Sequence, residues 1–246
     1  MTYESLRRET YLANMELKAA GLIVLTWGNA SQADREAGVF AIKPSGVSYD
    51  ALRPEDIVIC SLESGEKIDG DMRPSSDTPT HFELYRSFGC RGCSGCIGGI
   101  GGIGGVVHTH SRHAVAWAQA KRDIPCYGTT HADVFYGSVP CARELTDDEI
   151  GGEYELCTGK VIAETYRERG IDPLAVPGVL VACHGPFTWG NSAMKAVENA
   201  ITLEEAALMA FETELLSGGP AEPVKKALLD KHYLRKHGKN AYYGQK

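Results

Sequence analysis

Short turns between strand-like segments are the feature that most limits how this 246-residue chain can fold. A strand pattern at 40–43 runs directly into the turn at 44–46, and another at 56–61 runs into the turn at 63–67. Parallel neighbours in a sheet need a long crossover, whereas antiparallel neighbours can be joined by a short turn. Helix-like segments separate the other strands. The pattern therefore predicts a layered α/β domain with a mixed sheet rather than a purely parallel one.

The remaining periodicity predicts further helices and strands within one domain that spans 1–246. Further strands are expected at 22–27, 106–110 and 179–183. A helix should open at Asp77, because a capping side chain precedes a proline in the first turn. The segment 128–133 is expected to be a loop. Other helices are expected at 3–20, 112–120, 160–169, 193–216 and 225–237.

A segment with glycine at every third position interrupts this pattern between Gly89 and Gly104. Its cysteines form C-x-x-C-x-x-C, the spacing of some iron–sulfur proteins. A fourth cysteine followed by proline is absent at the expected distance, and the glycine repeat by itself explains the spacing. We therefore interpret the segment at about 89–102 as a flexible low-complexity insertion.

Charge and hydropathy exclude several function classes. The formal net charge is −7, whereas proteins that bind nucleic acids or membrane surfaces generally present a basic face. The first ten residues have no apolar run, and no segment is long enough to span a membrane. We therefore expect a cytosolic protein that acts on a small molecule. A C-terminal basic stretch is interpreted as a solvated helix face: Lys225, Lys226, Lys231, Arg235, Lys236 and Lys239.

Histidines two residues apart provide the strongest chemical signal. On a strand, residues at this spacing point to the same face, so His108 and His110 should converge. Imidazole nitrogens suit zinc-type ions, although an H-x-H pair alone is more often two surface or partly buried histidines. His184 ends another apolar strand, and Asp77 precedes a predicted helix. Three nitrogens and one carboxylate make these four residues candidate metal ligands.

Polar turns form a second signal, because backbone N–H groups and hydroxyls at strand ends and helix starts can hold a phosphate. Such turns are also common without any ligand. Three of them together beside a candidate metal site favour a binding role. The turns are Gly28-Asn29, Lys43-Pro44-Ser45-Gly46 and Ser75-Ser76.

Seven motifs occur in order along the chain: TWGNAS, IKPSGV, PSSDTPTH, VHTHSRHA, GTTHAD, HGPFTWG and DKHYLRKHG followed by AYYGQ. Together they resemble the L-ribulose-5-phosphate 4-epimerase family of the class II aldolase/epimerase superfamily, over about 6–245. The resemblance implies a three-layer α/β/α sandwich whose central sheet is mixed and mostly antiparallel. It also implies a homotetramer with active sites at subunit interfaces.

The resemblance also implies roles for individual residues. One divalent ion per subunit is expected, most readily Zn²⁺ with Mn²⁺ and Co²⁺ as alternatives, held by Asp77, His108, His110 and His184. Phosphate would be held by Asn29, Lys43, Ser45, Gly46, Ser75 and Ser76. Asp133 and Tyr243 would transfer protons, with His232 assisting. Spacing alone does not single out these last three residues.

The implied activity is epimerisation of L-ribulose 5-phosphate to D-xylulose 5-phosphate by breaking and re-forming the C3–C4 bond. One alternative is a class II aldolase that acts on a related ketose phosphate. Sibling aldolases resemble this chain in the histidines but carry glutamate in place of Asp77, which favours the epimerase. The other alternative is a non-catalytic binding protein on the same fold, which the complete ligand set disfavours. The resemblance does not distinguish among the arabinose, ascorbate and gulonate pathways, which use similar epimerases.

Overall fold

An eight-stranded sheet forms the centre of the protein. The computed structural model describes residues 3–89, 102–238 and 241–242. The strands are β1 (Asn29–Asp34), β2 (Val39–Ile42), β3 (Val58–Ser61), β4 (Lys67–Asp69), β5 (Gly105–His108), β6 (Cys141–Ala142), β7 (Gly178–Val181) and β8 (Gly185–Gly190). Their order is β4-β3-β2-β1-β5-β8-β7-β6. Neighbours pair antiparallel except β6 and β7, which are parallel, so the predicted mixed, mostly antiparallel sheet is confirmed.

Helices cover both faces of this sheet. They are α1 (Glu4–Ala19), α2 (Thr78–Ser87), α3 (Arg112–Gln119), α4 (Thr129–Ala132), α5 (Asp147–Gly151), α6 (Tyr154–Arg169), α7 (Ala193–Ser217) and α8 (Lys226–His237), with a 3-10 turn at Pro54–Asp56. Helices α1 and α7 pack together against one face, and α2 packs with α6 on the other. The three-layer α/β/α arrangement is therefore confirmed. Among the described helices, none combines the length and apolar character needed to cross a bilayer.

Alternating side chains of β5 show how the layers are joined. Val106 belongs to the larger core with Phe40 and Trp189, whereas Val107 belongs to the core under α1 and α7. Both valines are at most 1% exposed. Because successive strand residues point to opposite faces, a central strand covered on both sides can bury apolar side chains at successive positions. This burial makes β5 a rigid support for whatever follows it.

Three local predictions were wrong. The apolar segment 22–27 is not a strand: the backbone turns at Leu25, with φ 55°, and β1 starts only at Asn29. A short apolar run has no periodicity that distinguishes a strand from a loop, and in this loop Val24, Leu25 and Trp27 are exposed. β5 ends at His108, so His110 lies just beyond the strand. The segment 128–133, expected to be a loop, contains α4.

A buried asparagine ties α1 to the strand that enters the candidate site. Asn14 Nδ2 donates to Ala30 O at 2.9 Å, and Ala30 N–H donates back to Asn14 Oδ1 at 2.9 Å. Replacing Asn14 with alanine leaves both buried backbone groups unpaired, which costs about 1–3 kcal/mol for each group. We expect Asn14→Ala to lower the free energy of unfolding by about 2–5 kcal/mol in denaturant titrations.

Thr10→Val is the matched control for this prediction. The Thr10 hydroxyl donates to Leu6 O within the same helix, at 2.8 Å, and that carbonyl keeps its helical setting when the hydroxyl is removed. Its effect should stay below about 1 kcal/mol. An Asn14→Ala protein as stable as the Thr10→Val protein would contradict the stabilising role assigned to the Asn14–Ala30 hydrogen bonds.

The two ends of the glycine–cysteine segment meet at one point. Residues 90–101 of the predicted insertion lie outside the described part of the chain. Ile103 N–H donates to Phe88 O at 3.3 Å, and Arg35 Nη2 donates to Ile103 O at 2.8 Å. The chain therefore leaves α2 and re-enters ahead of β5 at neighbouring positions. The register of β5 is set by its pairing with β1 and β8.

Candidate functional site

His108 is the best-fixed member of the candidate site. It ends β5, is 1% exposed, and its ring stacks on Phe187 with centroids 4.2 Å apart. Its Nδ1 lies 3.0 Å from Pro186 O. A carbonyl oxygen can only accept, so Nδ1 carries a proton, and in the neutral tautomer of the ring Nε2 presents the lone pair. This is the arrangement that orients a metal-binding imidazole.

His110 and His184 bring their rings to the same place. His110 Nε2 lies 3.1 Å from His108 Nε2, and the His184 ring centroid is 4.8 Å from that of His108. The ligand atoms of the three histidines all lie within 4.8 Å of one another. His108 is buried, whereas the other two are partly exposed. The cluster is therefore anchored in the protein interior by His108 and is accessible to solvent on the side of His110 and His184.

The geometry fits a divalent metal ion. Two nitrogens bound tetrahedrally to one zinc, each at about 2.0–2.1 Å, are about 3.3 Å apart. The 3.1 Å between the Nε2 atoms of His108 and His110 is close to that spacing. Burial, with the nearby His108 and His110, lowers the pKa of His184 to about 3. Burial and His108 also lower the pKa of His110. Neutral imidazoles are the form that binds metal.

Asp77 lies beside this cluster but outside the group of mutually close ligand atoms. Burial raises the pKa of Asp77, but His108, His81 and a hydrogen bond from Asn29 outweigh that effect and lower it overall. Asn29 Nδ2 donates to Asp77 Oδ2 at 2.6 Å and to Ser75 Oγ at 3.0 Å. Residues of the predicted phosphate set therefore contact a predicted metal ligand.

Gly28 makes this approach of β1 to β5 feasible. Its φ is 85°, in the left-handed region, and a Cβ at this position would lie 2.8 Å from His108 O. Any other residue would combine backbone strain with a steric clash. The turn before Asn29 therefore packs directly on the backbone of His108 because residue 28 is glycine.

Two of the predicted phosphate turns are joined to each other. Ser75 N–H donates to Lys43 O at 3.0 Å, and Ser45 N–H donates to Arg73 O at 3.0 Å. Ser45, Gly46 and Ser76 are exposed, and Ser75 is half-buried. The N–H groups of Ser45 and Ser75 are thus used within the region, whereas the hydroxyls of Ser45 and Ser76 lie at the surface. The structure brings all six predicted residues into one connected region.

Lys43 is the unusual member of this region. Its side chain is 2% exposed, and Nζ lies 4.9 Å from the centre of the Tyr49 ring. Its described hydrogen bond is to Pro44 O at 3.4 Å. Burial lowers the pKa of Lys43 to about 8. A buried ammonium that lacks a carboxylate among its described contacts is suited to an anionic ligand.

Lys43→Met should therefore stabilise the ligand-free protein at pH 7. The pKa of Lys43 is lower in the folded than in the unfolded chain, so folding releases a proton between pH 8 and 10.5 and stability rises with pH there. Below pH 8 the charged form carries the full penalty, on the order of 3 kcal/mol. We expect this gain in denaturant titrations at pH 7 and its disappearance above pH 10.5.

Lys195→Met is the control, because Lys195 is surface-exposed and pairs with Glu198. Exposed pairs contribute about 0–1 kcal/mol, so this substitution should change little. Equal stability of wild-type and Lys43→Met proteins at pH 7 would contradict the buried-charge interpretation. The same Lys43→Met protein should bind inorganic phosphate more weakly.

The predicted proton-transfer residues form a separate cluster. Asp133 follows α4, and His232 Nδ1 lies 3.0 Å from its Oδ1. Arg235 donates to both carboxylate oxygens, from Nε at 3.1 Å and from Nη2 at 2.8 Å. Lys236 Nζ lies 3.2 Å from Oδ2. Tyr243 lies outside the described residues.

This cluster corrects the interpretation of the C-terminal basic stretch. Arg235 and Lys236 are only 22% and 29% exposed and contact Asp133, so this part of α8 is not a solvated face. Burial raises the pKa of Asp133, but hydrogen bonds from Arg235, Lys236 and His232 lower it overall. Within the described part of one chain, Asp133 contacts α8 rather than the three site histidines.

Sequence reasoning missed two polar residues near the histidines. The Tyr154 hydroxyl lies 3.3 Å from His184 Nδ1, and His81 is fully buried and interacts electrostatically with Asp77. Tyr154 lies in α6, ahead of the predicted helix start, and nothing local marks it. His81 stands four residues after Asp77, so the two share a helical face, and this spacing could have identified it.

Known proteins are similar to this chain in sequence. The family model described as Class II Aldolase and Adducin N-terminal domain matches residues 8–211. The L-ribulose-5-phosphate 4-epimerase UlaF of Salmonella paratyphi A (strain ATCC 9150 / SARB42) is 48% identical over 243 residues, which cover 99% of this chain and 100% of that protein.

Solved structures agree with the described architecture. YgbL from Escherichia coli superposes with a TM-score of 0.69 at 23% identity, over 94% of this chain and 99% of that chain. The l-fuculose-1-phosphate aldolase from Thermus thermophilus gives a TM-score of 0.62 at 26% identity, over 88% of this chain and 98% of that chain. The fold is therefore shared over most of this chain.

Proposed function

Because this chain belongs to the class II aldolase and adducin N-terminal domain family, we propose that it is a metal-dependent epimerase that converts L-ribulose 5-phosphate to D-xylulose 5-phosphate. The observation that carries the proposal is the convergence of His108, His110 and His184 beside Asp77 and the polar turns. The full-length similarity to an epimerase favours this substrate over those of sibling aldolases.

The three histidines would hold the ion, with Asp77 beside them. When bound, a divalent ion there supplies electrophilic stabilisation of negative charge on substrate oxygens. Zn²⁺ fits the three-nitrogen donor set, and Mn²⁺ and Co²⁺ can occupy similar N/O sites. The His108–Pro186 hydrogen bond fixes the ring that is buried most deeply, so the site is oriented before any ligand arrives.

The chemistry of the substrate dictates how C4 can be inverted. The ketone is at C2, so the hydrogen on C4 is not acidic and direct deprotonation fails. The C4 hydroxyl is β to that ketone. Removing its proton allows the C3–C4 bond to break in a retro-aldol step, which leaves an enediolate and glycolaldehyde phosphate. Rotation of the aldehyde and re-formation of the bond on its other face then invert C4.

Two proton-transfer groups on opposite faces of the aldehyde are needed for this inversion. We assign these roles to Asp133 and Tyr243. His232 contacts Asp133 at 3.0 Å and, with Arg235, fixes the direction of its carboxylate. A positioned general acid or base contributes about 10²–10⁴-fold to the rate.

The phosphate must stay bound while the aldehyde rotates, or the fragment is lost. Buried Lys43 would supply the charge. The turn residues around it, which are Asn29, Ser45, Gly46, Ser75 and Ser76, would supply N–H and hydroxyl donors. Retention of both fragments is what distinguishes an epimerase from an aldolase that uses the same bond cleavage.

We further propose a homotetramer whose active sites lie between subunits. In one chain Asp133 contacts α8, whereas the histidines lie at the ends of β5 and β7. A neighbouring subunit could bring its own Asp133 cluster to the open side of the histidines. The single domain, including its glycine–cysteine insertion, would act as one unit in this assembly.

A coupled assay tests the proposal. Purified protein is given L-ribulose 5-phosphate before and after chelation, and D-xylulose 5-phosphate is followed through a coupling enzyme. Metal-dependent formation of D-xylulose 5-phosphate is expected. Absence of turnover in a folded, metal-loaded protein would contradict the proposal. Cleavage of a ketose 1-phosphate with release of a ketone and an aldehyde would instead identify an aldolase.

A further inference from the structure

Three buried polar side chains form a connected row beneath Asp77. Ser31 on β1 lies between two residues of α2: its Oγ is 2.7 Å from His81 Nδ1 and 2.7 Å from the Tyr85 hydroxyl. All three side chains are at most 1% exposed. Buried polar side chains are almost always hydrogen-bonded, and these contacts between β1 and α2 satisfy that requirement. The far nitrogen of His81, Nε2, has no hydrogen-bond partner within the described structure.

The direction of this row follows from counting protons. Tyr85 receives a backbone hydrogen bond from Val106 and has one hydroxyl proton to donate. Ser31 also has one proton, so it donates to one neighbour and accepts from the other. If Ser31 donated to Tyr85, the tyrosine proton would be left buried without an acceptor. The satisfied direction runs from Tyr85 to Ser31 to His81 Nδ1.

This direction places the proton of neutral His81 on Nε2. Because Nδ1 accepts from the Ser31 hydroxyl at 2.7 Å, the one ring proton must be on Nε2. A buried N–H without an acceptor costs about 1–3 kcal/mol. Asp77 is the N-cap residue of the helix that carries His81 and stands four residues earlier, on the same helical face. A carboxylate that could accept from the orphan donor is therefore one helical turn away.

We propose that Tyr85, Ser31 and His81 form a one-way hydrogen-bond chain that presents His81 Nε2–H to Asp77 through one water. His81 is thereby a positioning residue for the carboxylate beside His108, His110 and His184. Asn29 holds Asp77 Oδ2 from one side, at 2.6 Å. The chain from β1 holds the same carboxylate from within the core. The inference rests on the proposed function only for the role of Asp77.

The tautomer of His81 is a direct test on the unaltered protein. Metal-free wild-type protein with ¹⁵N- and ¹³C-labelled histidine is examined by NMR, and the His81 signals are assigned by their loss in His81→Gln. The Nε2–H tautomer is expected. An Nδ1–H tautomer would overturn the proposed direction. This measurement requires neither substrate nor turnover, so it stands apart from the epimerase assay.

Metal affinity provides the second test. Competition with a chromogenic chelator gives the affinity for Zn²⁺ in folded, full-length protein. Loss of an outer hydrogen-bond partner typically weakens metal binding about 10–100-fold, and we expect this for His81→Phe. His81→Gln retains one acceptor and one donor and should recover most of the affinity. Ser31→Ala should weaken binding in the same direction.

A matched control separates positioning from packing. His131 is also buried, at 4% exposure, but its Nε2 donates to Gly137 O at 2.8 Å. His131→Phe should leave Zn²⁺ affinity unchanged. Equal affinity in wild-type, His81→Phe and His81→Gln proteins would overturn the proposal. Equal loss in His81→Phe and His131→Phe would do the same, because it would indicate a general packing effect.

Discussion

His110→Asn should reduce metal-dependent turnover by on the order of 10³-fold or more while leaving the fold intact. The expected magnitude follows from the several kcal/mol that a bound ion contributes to charge stabilisation, at about 1.4 kcal/mol for each factor of ten. His110 Nε2 lies 3.1 Å from His108 Nε2, so its removal takes one nitrogen from the donor set. His110 is also partly exposed, so the substitution creates little internal cavity.

Turnover, bound metal and thermal midpoint should be measured together for this variant. Metal content after dialysis should fall, and the midpoint of the metal-free protein should stay near that of wild type. His113→Asn is the matched control: His113 Nδ1 pairs with Glu204 at 2.8 Å on the adjacent helix and does not belong to the cluster. Wild-type metal content and turnover in His110→Asn would refute the assignment of the metal site.

Asp133→Asn should lower kcat by about 10²–10⁴-fold, the range that a positioned acid or base contributes. Asparagine keeps the shape but cannot take up a proton. KM should change less than kcat, because the phosphate contacts are made by other residues.

Arg235, Lys236 and His232 lower the pKa of Asp133, although burial opposes them. The carboxylate therefore stays ionised through neutral pH, and turnover that depends on it should persist below pH 7.

Asp230→Asn is the control for charge loss on this surface. Asp230 is an α8 carboxylate that pairs with Lys226 at 2.6 Å and accepts from the Tyr136 hydroxyl. Both variants remove one negative charge that interacts with α8. A loss of kcat shared equally by the two variants would point to helix docking rather than proton transfer. A loss confined to Asp133→Asn is the expected result.

The sequence was sufficient to predict the sheet type and the convergence of His108 with His110, and both depend on short-range signals. Short turns demand antiparallel neighbours, and His108 follows a buried apolar strand. The reason given for pairing His110 with His108 was partly wrong, since β5 stops at His108. The two rings still converge because His110 comes directly after the strand end, at the same edge of the sheet.

Features set by distant parts of the chain could not be predicted in this way. Segment 22–27 has the composition of a strand, but it does not join the sheet. The strand in this part of the chain is β1, which starts at Asn29. The contacts of Arg235 and Lys236 with Asp133 join positions about 100 residues apart. Local charge patterns cannot distinguish such a pairing from a solvated face. The row through Ser31, His81 and Tyr85 likewise forms only when α2 packs against β1, so the local sequence does not reveal it.

The hydrogen bond between Ile103 and Phe88 brings the two ends of the glycine–cysteine segment together, so the segment between them can be exchanged for another. Because the chain departs and returns at one place, a short linker could replace 90–101, or a folded reporter domain with adjacent termini could be fused there, without lengthening the path to β5. Such a fusion would report on subunit assembly from a fixed position, and the linker version would supply a protein free of the three clustered thiols.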